Sequence, residues 1–515
     1  MSDKKILIRG VLINYIQLFA AFAVNFVLTP IILNHLGRVA YGIWAVFSSI
    51  MVYFILFDIG LNTSVAKYTA EHNGPSGKGG KIDRIVSTIF VVFLFVALFI
   101  TLASVVLAHF IPYVIDIPED LLRSAKIAFV IMGVNVAIII LGGVFGNVIY
   151  GFQRVDIWKS CVIAQLLSNA ILVILFLKLG FGIVGVAAAS ALSSLILLSL
   201  YLIFLRTGNY GISVRPGLFD LKVFKEVAPY SLRTFVLGLS SRILYYTGSI
   251  VIAVFLGAAM VAPYDIANKL CFYSTYMFSV VSTTAFPRFS KFYAEGNMEG
   301  LRGLYLKSQK ISLGIMSVLA IFLFCWGRAL INLWVGETNF AGMNVLALFI
   351  AMLFFHALGT PAIAMLQGIG KNKAVTWSEI VNAALNLLLS IALVKRLGIE
   401  GVVIGTLAAH LLTSFWVVQL SVYKSIGLSL KAFLAKISPT LASGLSAAIL
   451  IWLIKDKLGA GSLYHLVFNG LVVAALYCVF YMAFSTKDEQ LMYIEFGQRW
   501  LKTNGERILR SLARD

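Results

Sequence analysis

The sequence is short of charge, of acid above all, and of cysteine. Only 12% of its 515 residues are charged while 60% are hydrophobic, and the mean hydropathy is +0.94. Soluble domains carry about 25% charged residues, so a water-soluble fold is excluded. Asp and Glu number 22 against 41 Lys and Arg, for a net charge of +19. In a soluble protein that excess would point to nucleic acid. Here the bases lie in short stretches between long apolar runs, so they report topology, and no nucleic-acid partner is expected. The four cysteines, Cys161, Cys271, Cys325 and Cys478, stand apart inside apolar stretches with no CxxC spacing and no partner histidine. A disulfide framework and a metal site are both excluded by that spacing. Gly74–Lys81 is rich in glycine but lacks the Gly-x4-Gly-Lys-Ser/Thr spacing and follows no strand, so it reads as a loop. No nucleotide, cofactor or catalytic cluster is expected.

What the sequence has in abundance is apolar runs of about 20 residues, the length that spans a bilayer as a helix. They predict an all-α polytopic membrane protein of about fourteen transmembrane helices, near 11–33, 41–63, 85–108, 124–149, 160–178, 183–205, 228–256, 260–286, 311–333, 343–366, 376–394, 402–422, 437–455 and 463–484. The first run is too long for a signal-peptide core and lacks a small-residue cleavage site, so it is read as a retained span. Lys67, Lys81, Arg84, Arg206, Arg215, Lys222, Arg288, Lys291 and Arg302 all fall on the side of the amino terminus, whereas the longest loop on the other side carries Asp116, Glu119 and Asp120. The positive-inside rule then places both termini in the cytoplasm.

Two stretches recur. Ala66-Lys67-Tyr68-Thr69-Ala70-Glu71 after the second span matches Ser290-Lys291-Phe292-Tyr293-Ala294-Glu295 after the eighth, and Gly151, Gln165 and Asn169 recur at constant offset as Gly368, Asn382 and Asn386. Gly182-Ile183-Val184-Gly185 likewise returns as Gly398-Ile399-Glu400-Gly401. The chain therefore divides into a six-helix lobe over 1–205, a linker over 206–227, a second six-helix lobe over 228–422, two additional spans over 437–484, and a basic amphipathic tail over 485–515. An even number of spans per unit makes the repeats parallel, a plan in which transporters place the substrate path between the halves.

Leu36-Gly37-Arg38-Val39-Ala40-Tyr41-Gly42-Ile43-Trp44, followed by Phe57-Asp58-Ile59-Gly60-Leu61 and Lys67-Tyr68, resembles the opening signature of the Wzx-type polysaccharide flippases. These belong to a superfamily with the multidrug and toxin extruders (MATE) and the lipid II flippases. The resemblance implies a V-shaped, MATE-like transporter in a bacterial or archaeal cytoplasmic membrane. It also implies a polyprenyl-diphosphate-linked glycan as cargo, other polysaccharide assembly proteins as partners, and alternating access. Lipid II flippases carry arginines in the first two spans; the first span here has none, which argues against a peptidoglycan precursor.

Ionisable groups near mid-bilayer cost a few kcal/mol and need a partner or a wet cavity. Asp58 and Arg233 sit at similar depth in the second and seventh spans, a candidate gate; the alternative is that Arg233 snorkels to lipid phosphate and Asp58 caps backbone. Arg242 lies deeper and shares a stripe with Tyr245, Tyr246 and Ser249, a surface suited to phosphate and sugar. In the eighth span Asp265 and Lys269 are spaced i, i+4, favourable for self-neutralisation, while Asn268, Tyr276, Ser279 and Thr283 extend that side as a polar stripe. Glu379 shares a face with Asn382, Asn386 and Ser390, where interhelical hydrogen bonding is the plainer reading. In the first span Gln17 and Asn25 face one way with Asn14 and Thr29, as a cavity wall would. Asp58, Asp265 and Glu379 are the carboxylates available for ion coupling. Two rival functions remain: a MATE-type cation-coupled small-molecule exporter, and a membrane-embedded polysaccharide polymerase or ligase. The second would need catalytic groups on the outward side, where the loops are short.

Overall fold

A computed structural model describes residues 3–58, 60–72, 79–208, 212–371, 373–486 and 490. Side chains are described from residue 13 onward except at 14–15, 72, 79, 226–238 and 240–241. Residues 73–78 of the glycine-rich loop and nearly all of the basic tail, with the side chains of Asn14 and Arg233, lie outside that set.

Among the described residues there are fourteen α-helices and no strand. They are α1 Asp3–Phe54, α2 Leu61–His72, α3 Gly79–Phe110, α4 Glu119–Gly151, α5 Val155–Lys178, α6 Gly182–Thr207, α7 Leu221–Leu256, α8 Val261–Ala294, α9 Met298–Val335, α10 Met343–Gly368, α11 Lys373–Leu412, α12 Ser414–Ile426, α13 Leu430–Ile454 and α14 Leu463–Phe484. Nine helical segments among these residues are long and apolar enough to cross a membrane. The protein is thus a polytopic all-α membrane protein. Helix is the outcome because a lipid-facing backbone must bond to itself.

The expected loop between the first two spans is absent as a loop. α1 runs through both spans and bends at Gly37, with φ 75° and ψ 169°. α11 likewise bends at Gly398, with φ 60° and ψ −138°, and the expected twelfth span is divided between the end of α11 and α12. One glycine at positive φ bends the chain where hydropathy predicts a connection of several residues.

The duplication is visible in backbone detail. Gly37 is matched by Gly257 at the end of α7, with φ 88° and ψ 159°. Gly182, at φ 53°, is matched by Gly398. After α4, Phe152, Gln153 and Arg154 donate backbone N–H to Val148, Tyr150 and Ile149; after α10, Ile369, Gly370 and Lys371 donate to Met365, Gln367 and Leu366 in the same pattern. The recurring lysine and glutamate form i, i+4 ion pairs in both copies, Lys67–Glu71 at 3.8 Å and Lys291–Glu295 at 3.7 Å. Gly151 packs on Ala66 O and Thr69, and Gly368 on Phe286 O, Phe289 and Ser290, so in each half the recurring glycine seats the helix beside it.

The chain forms two compact units. The first comprises Met1–Asn268, Trp334–Ala341 and Thr376–Ser414. In it α4 packs between α3 and α6, and α1 runs along α5 and α7. Pro30 inside α1 has no N–H for Phe26 O; the indole N–H of Trp334 donates to that carbonyl at 2.7 Å, and its ring stacks on Phe26 at 4.5 Å. The second unit comprises Lys269–Leu333, Gly342–Val375 and Phe415–Asp515. There Pro361 lies inside α10, where it has no N–H for Ala357 O, and the next carbonyl, Leu358 O, accepts side-chain amides from Gln309 at 2.8 Å and Gln419 at 3.1 Å. α13 and α14 pack on α9 through Ile321, Trp326, Ala447, Ile451, Val473 and Tyr477. A proline in a transmembrane helix is tolerated where a neighbouring polar group satisfies the freed carbonyl, as Trp334 does for Phe26 O.

Candidate functional site

The signature Leu36–Trp44 lies at the bend of α1 and is a joint. Past the Gly37 bend, Arg38 Nε donates to Ala259 O at 2.9 Å, in the short turn between α7 and α8. Three residues on, Tyr41, only 1% exposed, donates its hydroxyl to Asp265 Oδ2 at 2.7 Å. On the next position a Cβ at Gly42 would lie 1.9 Å from Ala258 O, so backbone meets backbone there. The glycine bend of the first half thus docks on the glycine bend of the second. The i, i+4 spacing of Asp265 and Lys269 showed a local partner only; the structure adds Tyr41 as a hydrogen-bond donor to Asp265.

A second contact from α1 to α7 lies at the level of Arg242. Tyr53 and Thr247 share a hydrogen bond of 2.6 Å, and the Tyr53 hydroxyl lies 3.3 Å from Arg242 O. Arg242 Nε is buried with no hydrogen-bond partner among the described residues. A guanidinium donor left open inside a bundle is costly, and an anionic ligand would satisfy it. On the same stripe Tyr245 is 45% exposed, Tyr246 is half-buried and Ser249 is buried.

Gln17 accepts a hydrogen bond from Lys159 Nζ at 3.1 Å, and that ammonium sits 4.4 Å from the Trp158 ring centre. Lys159 was missed because its position, one residue before the apolar run at 160, assigned it to a loop; the helix starts at Val155 and carries it on its first turns. The first half therefore has a cation of its own beside the polar face of α1. Its neighbours Arg154 and Asp156 form a two-pronged ion pair at 3.0 and 3.2 Å, with Asp156 buried. Asn25 is exposed and donates to Ala21 O on its own helix at 2.8 Å.

Asp58 Oδ1 accepts the backbone N–H of Asn62 at 3.0 Å, capping the start of α2. That is the backbone-capping geometry weighed against the gate, and the Arg233 side chain lies outside the described residues. Glu379 Oε2 is 3.5 Å from the Asn382 amide, and Ser390 bonds to Asn386 at 3.2 Å. At the equivalent place in the first half Gln165 bonds to Ser194 at 3.2 Å and Ser193 to Asn169 at 3.4 Å. In the first half these amides fasten α5 to α6, whereas in the second half the corresponding bonds lie within α11. Asn268 and Lys269 are half-buried on α8.

A duplicated all-α bundle with cationic and hydroxyl-bearing positions inside its helices is the build of a membrane transporter. Residues 7–293 match the model of the family described as polysaccharide biosynthesis protein. This chain belongs to that family. It is 24% identical over 450 residues to an uncharacterized membrane protein of Methanocaldococcus jannaschii, covering 82% of this chain and 84% of that one. It is 21% identical to the uncharacterized membrane protein EpsK of Bacillus subtilis over 96% of this chain and 98% of that one. A putative O-antigen transporter of Shigella flexneri is 22% identical over 72% of this chain and 87% of its own. Among solved structures, the lipid II flippase MurJ in an inward closed conformation superposes with a TM-score of 0.73 at 16% identity, over 92% of this chain and 98% of that one. An inward-facing MATE family multidrug transporter gives 0.68 at 18% identity, over 80% and 96%. These likenesses establish the fold.

Proposed function

We propose that the protein is a flippase that moves polyprenyl-diphosphate-linked oligosaccharide repeat units from the inner to the outer leaflet of the cytoplasmic membrane, for assembly of a surface polysaccharide. The halves over 1–205 and 228–422 act as two lobes in alternating access, and both termini face the cytoplasm. The observation that carries the reading is Arg242, whose buried Nε has no partner among the described residues and lies beside a tyrosine-lined stripe. A diphosphate supplies the acceptor and the sugars supply partners for hydroxyls. Lys159 and Gln17 offer a second cationic and amide pair for the same cargo. Membership of a polysaccharide biosynthesis family and similarity to an O-antigen transporter support the cargo class. The work is transport and not catalysis. An inside-negative potential drives the anion outward, at about 2.3 kcal/mol per charge per 100 mV.

The test is a chromosomal deletion with complementation. Lipid-linked oligosaccharide is expected to accumulate on the cytoplasmic leaflet and surface glycan to disappear. A second reading, a cation-coupled exporter, is favoured by the MATE likeness and by the carboxylates Asp265 and Glu379. It predicts unchanged glycan display with altered resistance to cationic dyes.

A further inference from the structure

A cavity of about 530 Å³ opens at the end of the first unit that carries the basic loops. Its walls are Val86 and Phe90 from α3, Phe145 and Val148 from α4, and Leu202 and Leu205 from α6. Val86, Phe145 and Val148 are 1%, 8% and 0% exposed, so the floor is apolar. Arg206 stands at the mouth, exposed, and the remaining wall is the extended segment Ile212–Val214. None of these groups takes part in the cargo path proposed above.

That extended segment belongs to the linker between the halves, and α3 holds it like a strap. The backbone N–H groups of Ser213, Arg215 and Asp220 donate to Asp83 Oδ1, Ser87 Oγ and Thr88 Oγ1 at 2.9, 3.0 and 3.0 Å. These three backbone donors are thereby spent on α3. What the mouth offers a ligand is the Arg206 guanidinium, with Arg215 exposed one residue beyond Val214.

We infer that this cavity binds one anionic glycerophospholipid of the inner leaflet, with an acyl chain between α3, α4 and α6 and the phosphate at Arg206. The volume falls within the roughly 300–1,000 Å³ of small-molecule sites. An apolar floor with a cation at its rim matches an amphiphile with an anionic head, and basic pockets between helices on the cytoplasmic side are where such heads are held. The strap places the lipid against the segment that joins the halves, so its occupancy bears on how firmly the linker is held. The inference takes only the orientation from the proposed function.

Native mass spectrometry of the full-length protein in mixed detergent micelles reads the site without reference to cargo or orientation. Phosphatidylglycerol and phosphatidylcholine of identical chains are titrated side by side, and glycerol 3-phosphate is offered as competitor. One retained phosphatidylglycerol is expected, preferred roughly five-fold over phosphatidylcholine, the equivalent of about 1 kcal/mol for one surface cation. Arg206→Gln, at an exposed position, should equalise the two lipids without lowering the melting temperature. Leu205→Trp, which fills the cavity from a half-buried wall, should remove both. Equal retention of the two lipids by the unaltered protein, or a preference that survives Arg206→Gln, overturns the proposal. Competition by glycerol 3-phosphate as strong as by the intact lipid also overturns it, because the site would then be one for free phosphate.

Discussion

The Tyr41 hydroxyl donates to Asp265 at 2.7 Å, tying the start of the second span to the start of the eighth across 224 positions of sequence. With Arg38 on Ala259 O and Gly42 against Ala258 O, it makes the most recognisable stretch of the chain a joint between the two glycine bends. Tyr41→Phe removes one donor from a 1% exposed site and should cost about 1–3 kcal/mol. Thermal unfolding of Tyr41→Phe, Asp265→Asn and the double variant checks it. The double should be little worse than the worse single, because one bond is lost twice; fully additive losses would show that the two groups act apart.

Gly42 allows a prediction whose sign reverses at a second glycine. A Cβ at Gly42 collides with Ala258 O, a backbone atom that cannot swing aside, whereas a Cβ at Gly303 inside α9 meets nothing within 4 Å. Gly42→Ala should destabilise by about 1–3 kcal/mol through overpacking. Gly303→Ala should stabilise by about 0.5–1 kcal/mol through the helix preference of alanine. Melting temperatures of both variants in one detergent decide the matter, and a tolerated Gly42→Ala would mean the bends are not in tight contact.

Helix after helix was legible in the sequence, since apolar length sets the spans and glycine and lysine mark the recurrences. The joints were not. A hydropathy run cannot distinguish a loop from one glycine at positive φ, so Gly37 and Gly398 fall at the centres of the expected connections. Tyr41 read as a family mark, because a hydrogen bond across 224 positions leaves no local pattern. Lys159 was lost at the boundary of a span, where hydropathy is least informative. Arg242 was found because charge inside an apolar run is conspicuous, but its open donor is a property of packing and not of sequence.

Gln153 follows from the duplication itself. It sits at φ 60°, while the equivalent position of the second half is Gly370 at φ 73°. A side chain in that region is strained and glycine is not. Gln153→Gly should therefore stabilise the protein by about 0.5–1 kcal/mol, and Gly370→Gln should destabilise it by at least as much. If Gln153→Gly lowers the melting temperature, contacts of the glutamine side chain outweigh the backbone, and the two turns are not equivalent in energy.

Trp334 and Pro30 form a pair that tests how the break in α1 is satisfied. Trp334→Phe keeps an aromatic ring for Phe26 but removes the N–H that serves Phe26 O, at an expected cost of about 1–3 kcal/mol. Pro30→Ala returns an N–H able to reach the same carbonyl within the helix. The double variant should accordingly recover part of the loss seen in Trp334→Phe alone. A double variant less stable than the single would mean that the proline, and not the carbonyl, is what Trp334 supports.

Arg242 separates a cargo contact from a structural ion pair by two measurements that move in different directions. Its Nε is buried and has no partner among the described residues, so Arg242→Gln removes an unsatisfied donor and should leave the melting temperature unchanged or higher. Flipping of a lipid-linked oligosaccharide in proteoliposomes should fall by roughly ten-fold or more, the equivalent of at least about 1.4 kcal/mol of lost phosphate contact. Arg242→Lys keeps the charge but not the fork of donors, and should lie between the two. An Arg242→Gln protein that melts lower and still flips at the original rate would assign Arg242 to the scaffold, and the phosphate would have to be held elsewhere, with Lys159 beside Gln17 the first position to substitute.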